Sequence, residues 1–108
     1  MSSVHNNIFS EIRQTVKQIP FGYVSTYGNV ATALNLRDVR LVGWALHGNQ
    51  DPSLPCHRVV KKDGHLASNY SLGGWQEQAR RLQKEQVFFL KPNQVDLAKC
   101  FFDLTRVE

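Results

Sequence analysis

Helical signals fill the first half of this chain and strand signals follow them, and this order restricts the fold. Residues 7–18 carry one apolar face at helical spacing, and Pro20 ends the pattern. Later, Val59–Val60 and the turn residues Lys62-Asp63-Gly64 predict a β-hairpin, because Asp-Gly is a common hairpin turn. Helices followed by a hairpin predict one small α+β domain of the winged helix-turn-helix type over residues 1–108.

Two short helices are predicted in the middle of that order. Thr26 is a suitable N-cap for a helix that continues to Ala33. A second helix is expected over residues 37–47, with Asp38 in its first turn, where a negative charge suits the helix dipole. Two helices joined by a tight turn, the second bearing arginines, indicate a candidate helix-turn-helix.

The second half is predicted to add a helix and an apolar tail. Residues 75–84 should form a helix that buries Trp75, Ala79 and Leu82 at positions i, i+4 and i+7. Trp44 and Cys100 are expected in the core, since free cysteines and tryptophans usually pack there.

Composition limits the class of protein. The chain has 108 residues, a net charge of +4 and a pI near 9.3, which permit nucleic-acid binding without requiring it. No apolar run reaches membrane-spanning length, so no membrane contact is expected. Two cysteines make no disulfide framework, and a reducing cytoplasm is the expected location.

The segment Pro55-Cys56-His57-Arg58 carries the chemistry of the sequence. Proline stiffens the approach to the cysteine, and two potential cations follow it. Nearby positive charge lowers a cysteine pKa from about 8.5, so the thiol is expected to lose its proton readily. The alternative is a buried structural cysteine, which is the commoner role of a free thiol.

Three ordered segments carry a family resemblance, which is strongest over residues 8–90. They are Ile19-Pro20-x-Gly22-x-Val24-Ser25-Thr26-Tyr27-Gly28-x-Val30-Ala31, Val39-Arg40-Leu41-Val42-Gly43-x-Ala45 and Pro55-Cys56-His57-Arg58-Val59. Together they resemble the DNA-binding domain of the O6-alkylguanine-DNA alkyltransferases. The resemblance implies a monomer that flips an alkylated guanine from the duplex and moves the alkyl group irreversibly to the cysteine. It implies no metal or cofactor in this step.

The resemblance also implies roles for single residues. Cys56 would be the nucleophile, His57 would activate it through a water, and Glu85 would support the imidazole. Tyr27 would help to rotate the nucleotide and donate to the base. Arg40 would fill the space that the flipped base leaves. The DNA- and base-binding set implied by the family is Tyr27, Arg40, Asn49, Arg58, Val59, Asn69, Tyr70 and Ser71.

Simpler roles remain open for several of these residues. Glu85 could be a solvated charge at a helix end, and Arg40 a phosphate contact. Tyr27 could lie at the edge of the core, and Asn49 could be a plain helix C-cap. The small residues Gly43 and Ala45 are expected to let their helix approach a groove, which in this family is the minor groove.

The resemblance is incomplete in three respects. The length leaves no room for the N-terminal domain of full alkyltransferases and is similar to that of the alkyltransferase-like proteins. Those bind alkylated guanine without repairing it, but they typically have tryptophan where this chain has Cys56. The stretch between Asn49 and Cys56 is one residue short, and either Asn69 or Tyr70 occupies the pocket position.

Three functions follow from these features. The leading prediction is a single-turnover alkyltransferase. The second is a non-catalytic lesion binder that recruits another pathway, such as nucleotide-excision repair. The third is a winged-helix regulator, which leaves the Pro-Cys-His-Arg segment without a role. A metal site is disfavoured, because the four histidines show no ligand spacing.

Overall fold

The computed structural model describes residues 4–47, 49, 51–67, 70 and 73–106, with only the backbone described for residues 4–7. It has five helices and two small sheets in these ranges, which confirms the predicted α+β class. No helix in the described ranges is long and apolar enough to cross a membrane.

The first helix packs against the helix-turn-helix. Helix α1 spans Val4–Val16 and ends earlier than predicted, because the amides of Gln18 and Ile19 turn back to carbonyls three residues before them. Ile12, Val16 and Ile19 are fully buried, as the apolar periodicity predicts.

The helix-turn-helix consists of α2 (Tyr27–Ala33) and α3 (Arg40–His47). Thr26 caps α2 as predicted, since its Oγ1 accepts from the Asn29 amide at 3.0 Å. Asn35 makes the turn in the left-handed region, at φ 57°. Helix α3 starts three residues later than expected. Asp38 lies before it rather than in its first turn, and its carboxylate accepts from the Arg40 amide at 3.0 Å.

The predicted hairpin around residues 59–67 is wrong. Strand β1 (Ser25–Thr26) pairs in parallel with β2 (Val59–Val60), so β2 finds its partner far away in the sequence. The turn after β2 does form, with the Lys61 amide donating to the His65 carbonyl at 2.9 Å. His65 then pairs with Gln94 instead of continuing a ladder with β2.

Helix α4 spans Gly74–Lys84 and agrees with the predicted helix. Ala79 and Leu82 are buried as predicted, whereas Trp75 is only partly buried. The remainder forms elements that the sequence interpretation left unassigned. Strands β3 (Phe89–Lys91) and β4 (Gln94–Val95) make an antiparallel hairpin, and α5 (Leu97–Cys100) follows it.

Strand β2 lies between two apolar cores. Val59 packs in a first core with α1, α2 and α3, whereas Val60 packs in a second core with α4 and the C-terminal hairpin. Cys56 belongs to the first core and Cys100 to the second, which confirms the expected burial of Cys100. The turn that carries Cys56 is therefore anchored from both sides of β2.

Candidate functional site

Cys56 begins a 3₁₀ turn, Cys56–Arg58, directly before β2. Its amide donates to the Leu54 carbonyl at 2.8 Å, which tightens the approach through Pro55. The Asn49 side chain donates to the Cys56 Sγ at 3.3 Å and to the Asp51 carbonyl at 2.9 Å. Asn49 thus links the end of α3 to the thiol and braces the segment between them.

The thiol is protonated at rest, contrary to the expectation from its neighbours. Burial raises the pKa of Cys56 to about 11, and the hydrogen bond from Asn49 offsets this only in part. The expectation was wrong because His57 and Arg58 both turn toward Glu85. Arg58 is paired with that carboxylate and His57 is neutral, so neither residue supplies a positive charge to the sulfur.

Glu85 is the centre of a buried ionic cluster. Its carboxylate lies 2.6 Å from Nε2 of His57 and accepts from the Arg58 guanidinium at 2.9–3.2 Å. It also accepts from the Gly22 amide at 3.1 Å. Burial acts to raise the pKa of Glu85, but these hydrogen bonds outweigh it and hold the pKa below its usual value. Glu85 is not a solvated charge at a helix end.

His57 is set up as a neutral base. Burial lowers its pKa and outweighs the opposing influence of the Glu85 carboxylate. A carboxylate only accepts hydrogen bonds, so Nε2 carries the proton and Nδ1 is left as the acceptor. Nδ1 is buried and has no hydrogen-bond partner among the described residues. The imidazole can therefore take a proton at Nδ1 while Glu85 stabilises the charge that results.

Gln78 is a site residue that the sequence interpretation missed. It is fully buried on α4, and its side chain donates to the carbonyls of His57 and Val59 at 3.1 and 3.0 Å. Its oxygen accepts from the Ala67 amide at 2.9 Å. Gln78 thus holds the backbone within the 3₁₀ turn, at His57, and directly after it, at Val59. The available signal was a polar residue three positions after Trp75, on the apolar face of α4.

A cavity of about 520 Å³ opens beside the thiol. Tyr27 lies in its wall, and burial, followed by the proximity of Cys56, raises the pKa of the Tyr27 phenol to about 12. Trp44 also lines it and is 55% exposed, so the expectation of a core tryptophan is wrong. The lining residues are Tyr27, Val39, Arg40, Gly43, Trp44, Leu46, His47, Cys56, Lys61, Ala67 and Tyr70.

The predicted base-binding residues divide between the cavity and the core. Arg40 lies at the cavity with an exposed side chain, bonded through two nitrogens to Asp38 at 2.9 and 3.0 Å. Arg58 is engaged with Glu85 and with the Ile19 carbonyl, and Val59 is fully buried in the first core. Neither residue lines the cavity, and their contact with the base stays a prediction.

Asn69 and Tyr70 are the two candidates for the pocket position, and the structure describes only Tyr70. Tyr70 lines the cavity, and its hydroxyl accepts from the Arg81 guanidinium at 3.0 Å. Asn69 and Ser71 lie outside the described residues. On α3, Gly43 faces open space, but Ala45 is fully buried, so the prediction that both approach a groove is wrong for Ala45.

No group of three histidine, cysteine or carboxylate side chains capable of holding a metal ion occurs within the described ranges. The candidate site is therefore built from a thiol, a neutral imidazole paired with a carboxylate, and a cavity that the helix-turn-helix borders. A thiol with a neighbouring imidazole can support nucleophilic chemistry, and helix-turn-helix elements are common in DNA-binding proteins.

Residues 7–87 match the family described as "6-O-methylguanine DNA methyltransferase, DNA binding domain". A bifunctional methyltransferase/endonuclease of Picrophilus torridus is 34% identical over 99 residues, which are 90% of this chain and 32% of that protein. Alkyltransferase-like protein 1 of Schizosaccharomyces pombe is 32% identical over 84 residues, 76% of this chain and 78% of that protein. Other relatives are named methylated-DNA–protein-cysteine methyltransferases.

A solved structure extends the likeness to the whole fold. It is the crystal structure of S. pombe Atl1 in complex with damaged DNA containing O6-carboxymethylguanine. Its TM-score is 0.78 at 27% identity, covering 94% of this chain and 98% of that one.

Fold and site thus define a DNA-binding domain of the alkylguanine repair and recognition class. The chain belongs to the 6-O-methylguanine DNA methyltransferase family, matched through its DNA-binding domain, which confirms the resemblance seen in the sequence. It spans only about a third of the bifunctional methyltransferase/endonuclease that it matches.

Proposed function

We propose that this protein removes the alkyl group from O6-alkylguanine in double-stranded DNA and keeps it on Cys56, once per molecule. The observation that carries the proposal is the position of the Cys56 thiol. It lies in the wall of a cavity bordered by the helix-turn-helix, and the neutral His57 imidazole follows it in the same turn. No cofactor takes part in this step.

The transfer needs a base, because the thiolate is the nucleophile and the resting thiol is neutral. The thiol proton passes through a water to Nδ1 of His57, and Glu85 stabilises the imidazolium through Nε2. The sulfur then bonds to the alkyl carbon as the bond from that carbon to O6 breaks. The electron pair goes to guanine, which takes up the displaced proton as normal guanine.

Tyr27 supplies a hydrogen bond to the departing base. Because its phenol stays protonated beside the thiol, it can donate to the charge that develops on guanine. A donor in this place favours the transition state over the ground state, in which guanine carries no such charge.

The helix-turn-helix would present the cavity to DNA. Arg40, Gly43 and Trp44 lie where the exposed face of α3 meets the cavity, and the net charge of +4 favours phosphates. We place α3 in the minor groove, with Arg40 released from Asp38 to fill the space left by the flipped guanine. We expect the protein to act as a monomer, and its two free thiols suit a reducing compartment such as the cytoplasm.

One observation favours a second candidate, a lesion-binding protein without transfer. The structural match to S. pombe Atl1, which was crystallised with damaged DNA, covers 94% of this chain and 98% of that one. In this case Cys56 would only line the pocket, and the bound complex would attract another pathway, such as nucleotide-excision repair.

Intact-protein mass after incubation with a duplex carrying one O6-methylguanine separates the two candidates. We expect a gain of one methylene in the wild type and in Cys100→Ser, and no gain in Cys56→Ser. Tight lesion binding with no mass change in the wild type would reject transfer and support the lesion binder. A gain that persists in Cys56→Ser would reject Cys56 as the acceptor.

A further inference from the structure

The described lining of the cavity includes several hydrogen-bond donors and cations. Its lining includes the hydroxyls of Tyr27 and Tyr70 and the cationic side chains of Arg40 and Lys61. No aspartate or glutamate is among the described lining residues. A cavity of this kind attracts groups that accept hydrogen bonds or carry negative charge.

Both tyrosines have a hydroxyl hydrogen available to donate. The Tyr70 hydroxyl already accepts from Nη1 of Arg81 at 3.0 Å, so its own hydrogen is left to donate. Arg81 is held in place by Glu77, which accepts from its Nε at 2.8 Å. Tyr27 is a neutral phenol that donates in the same way.

Lys61 is the cation that remains available within the cavity. Arg40 is paired with Asp38, whereas Lys61 has no carboxylate within ion-pair distance in the part of the chain that the structure describes. Its backbone is fixed, because its amide donates to the His65 carbonyl and its neighbour Val60 is fully buried in β2. Its ammonium can therefore reach a ligand without first breaking an ion pair.

The volume leaves room for more than a methyl group. At about 520 Å³ the cavity lies within the range of roughly 300–1,000 Å³ that holds drug-sized ligands. The Lys61 side chain is exposed at the cavity, whereas Cys56 is buried. Lys61 is therefore placed to act on a part of the ligand away from the reacting carbon.

We propose that Lys61 selects O6-alkylguanines whose substituent ends in a carboxylate, by a charge-assisted hydrogen bond from its ammonium. This rests on the proposed function, since it describes the substrate class of the same cavity. The carboxylate lies in the cavity with the flipped base and leaves the alkyl carbon facing Cys56. A neutral substituent of the same size lacks this contact.

Binding to three otherwise identical duplexes tests the proposal. One duplex carries O6-carboxymethylguanine, one its uncharged carbamoylmethyl analogue and one O6-methylguanine, each measured against unmodified DNA. The proteins are the wild type, Lys61→Gln and the matched control Lys62→Gln, whose lysine is adjacent but does not line this cavity. All carry Cys56→Ser so that transfer does not interfere, and equal melting temperatures verify folding.

We expect the wild-type background to bind the carboxymethyl duplex about tenfold more tightly than the carbamoylmethyl one. Lys61→Gln should reduce this ratio to about one and leave the O6-methylguanine affinity within about twofold, and Lys62→Gln should retain the ratio. A ratio of one in the wild-type background, or a ratio that survives Lys61→Gln, would overturn the proposal. If Lys61→Gln weakened binding to all three duplexes equally, Lys61 would be a phosphate contact, and this result would also overturn the proposal.

The same measurements separate this failure from a failure of the proposed function. If the wild-type background prefers every lesion over unmodified DNA but shows no preference for the charge, only the role of Lys61 is wrong. If no lesion is preferred over unmodified DNA, the alkylguanine site itself is wrong.

Discussion

Cys56 and Cys100 lie in the two cores of this molecule, and the comparison shows what makes one of them a candidate nucleophile. Both are buried, at 5% and 1% exposure, and burial raises the pKa of each thiol to about 11. Acidity therefore does not distinguish them. Cys56 lines a cavity and accepts a hydrogen bond from Asn49, whereas Cys100 donates to the Asp96 carbonyl at 3.1 Å within the second core.

The difference shows that reactivity here depends on the surroundings of the sulfur. Cys56 is followed by His57, whose imidazole is oriented by Glu85, and the cavity brings a substrate to the thiol. Cys100 lies outside the cavity, and no imidazole contacts it in the part of the chain that the structure describes. Substitutions that remove these surroundings should make Cys56 behave as Cys100 does.

The largest effect is expected from Glu85→Gln. An amide in this position cannot stabilise the imidazolium, so the transfer rate should fall at least a hundredfold. The substitution also leaves the largely buried Arg58 without its carboxylate partner, which costs up to about 3–5 kcal/mol of folding free energy. Single-turnover rates at a temperature where the variant remains folded provide the measurement. Glu11→Gln, an exposed carboxylate on α1, is the control, and a rate equal to its rate would exclude Glu85 from the reaction.

A smaller effect is expected from Tyr27→Phe. The variant keeps the shape of the cavity but loses the hydrogen bond to the departing guanine, so transfer should slow about tenfold. Binding to the lesion should change much less, because the charge on guanine develops only in the transition state. Tyr23→Phe is the matched control, since Tyr23 lies outside the cavity and makes an edge contact with Phe102. Equal rates for the two variants would show that Tyr27 is only part of the wall.

Thiol alkylation without DNA compares the two cysteines directly. With iodoacetamide, both should react slowly at pH 7, and each rate should rise about tenfold per pH unit toward pH 10, because the thiolate is the reactive form. Cys56 should react about fivefold faster than Cys100, since only Cys56 borders the cavity. Mass spectrometry of tryptic peptides measures both rates in one sample. Fast alkylation of Cys56 at neutral pH would contradict a protonated resting thiol.

The smallest expected effect is on stability at alkaline pH. A thiol whose pKa is higher in the folded protein than in the unfolded chain favours folding below pH 9, and this contribution is lost as pH rises toward 11. Thermal unfolding from pH 8 to 11 should show this loss, and Cys100→Ser should make it less steep. An unchanged slope in the variant would show that Cys100 contributes nothing to it.

In acid, the same linkage between pKa and folding predicts that stability falls as the pH is lowered. The lowered pKa values of His57 and Glu85 mean that their contributions to folding are present above the unfolded-state values and are lost below them. We therefore expect stability to decline below about pH 6.5, where the unfolded chain begins to protonate histidine.

The features that local rules govern were the ones the sequence predicted. Apolar spacing placed α1 and α4 to within a few residues, and Thr26 marked the start of α2 because capping depends on adjacent residues. The three segments around Thr26, Arg40 and Cys56 led to the family. These are short-range signals, or residue patterns fixed by the chemistry of the site.

Features that depend on distant partners were missed. Two-residue strands carry no periodicity, so the parallel pairing of β1 with β2 left no pattern in the sequence. The pKa of Cys56 was predicted in the wrong direction because burial of the thiol, which arises only in the folded chain, raises it. In addition, Glu85, 27 residues beyond Arg58, pairs with that arginine. Gln78 was overlooked because its three bonded groups come together only in the folded chain.

Locating the alkyl group on the chain tests this account most directly. After incubation with an O6-methylguanine duplex, tryptic peptides of the wild-type protein should carry one added methylene on Cys56 and none on Cys100, in amounts that match the lesion consumed. Loss of the lesion with no methylene on Cys56, or a methylene on Cys100 instead, would contradict the claim that the cavity and the His57–Glu85 pair make Cys56 the acceptor.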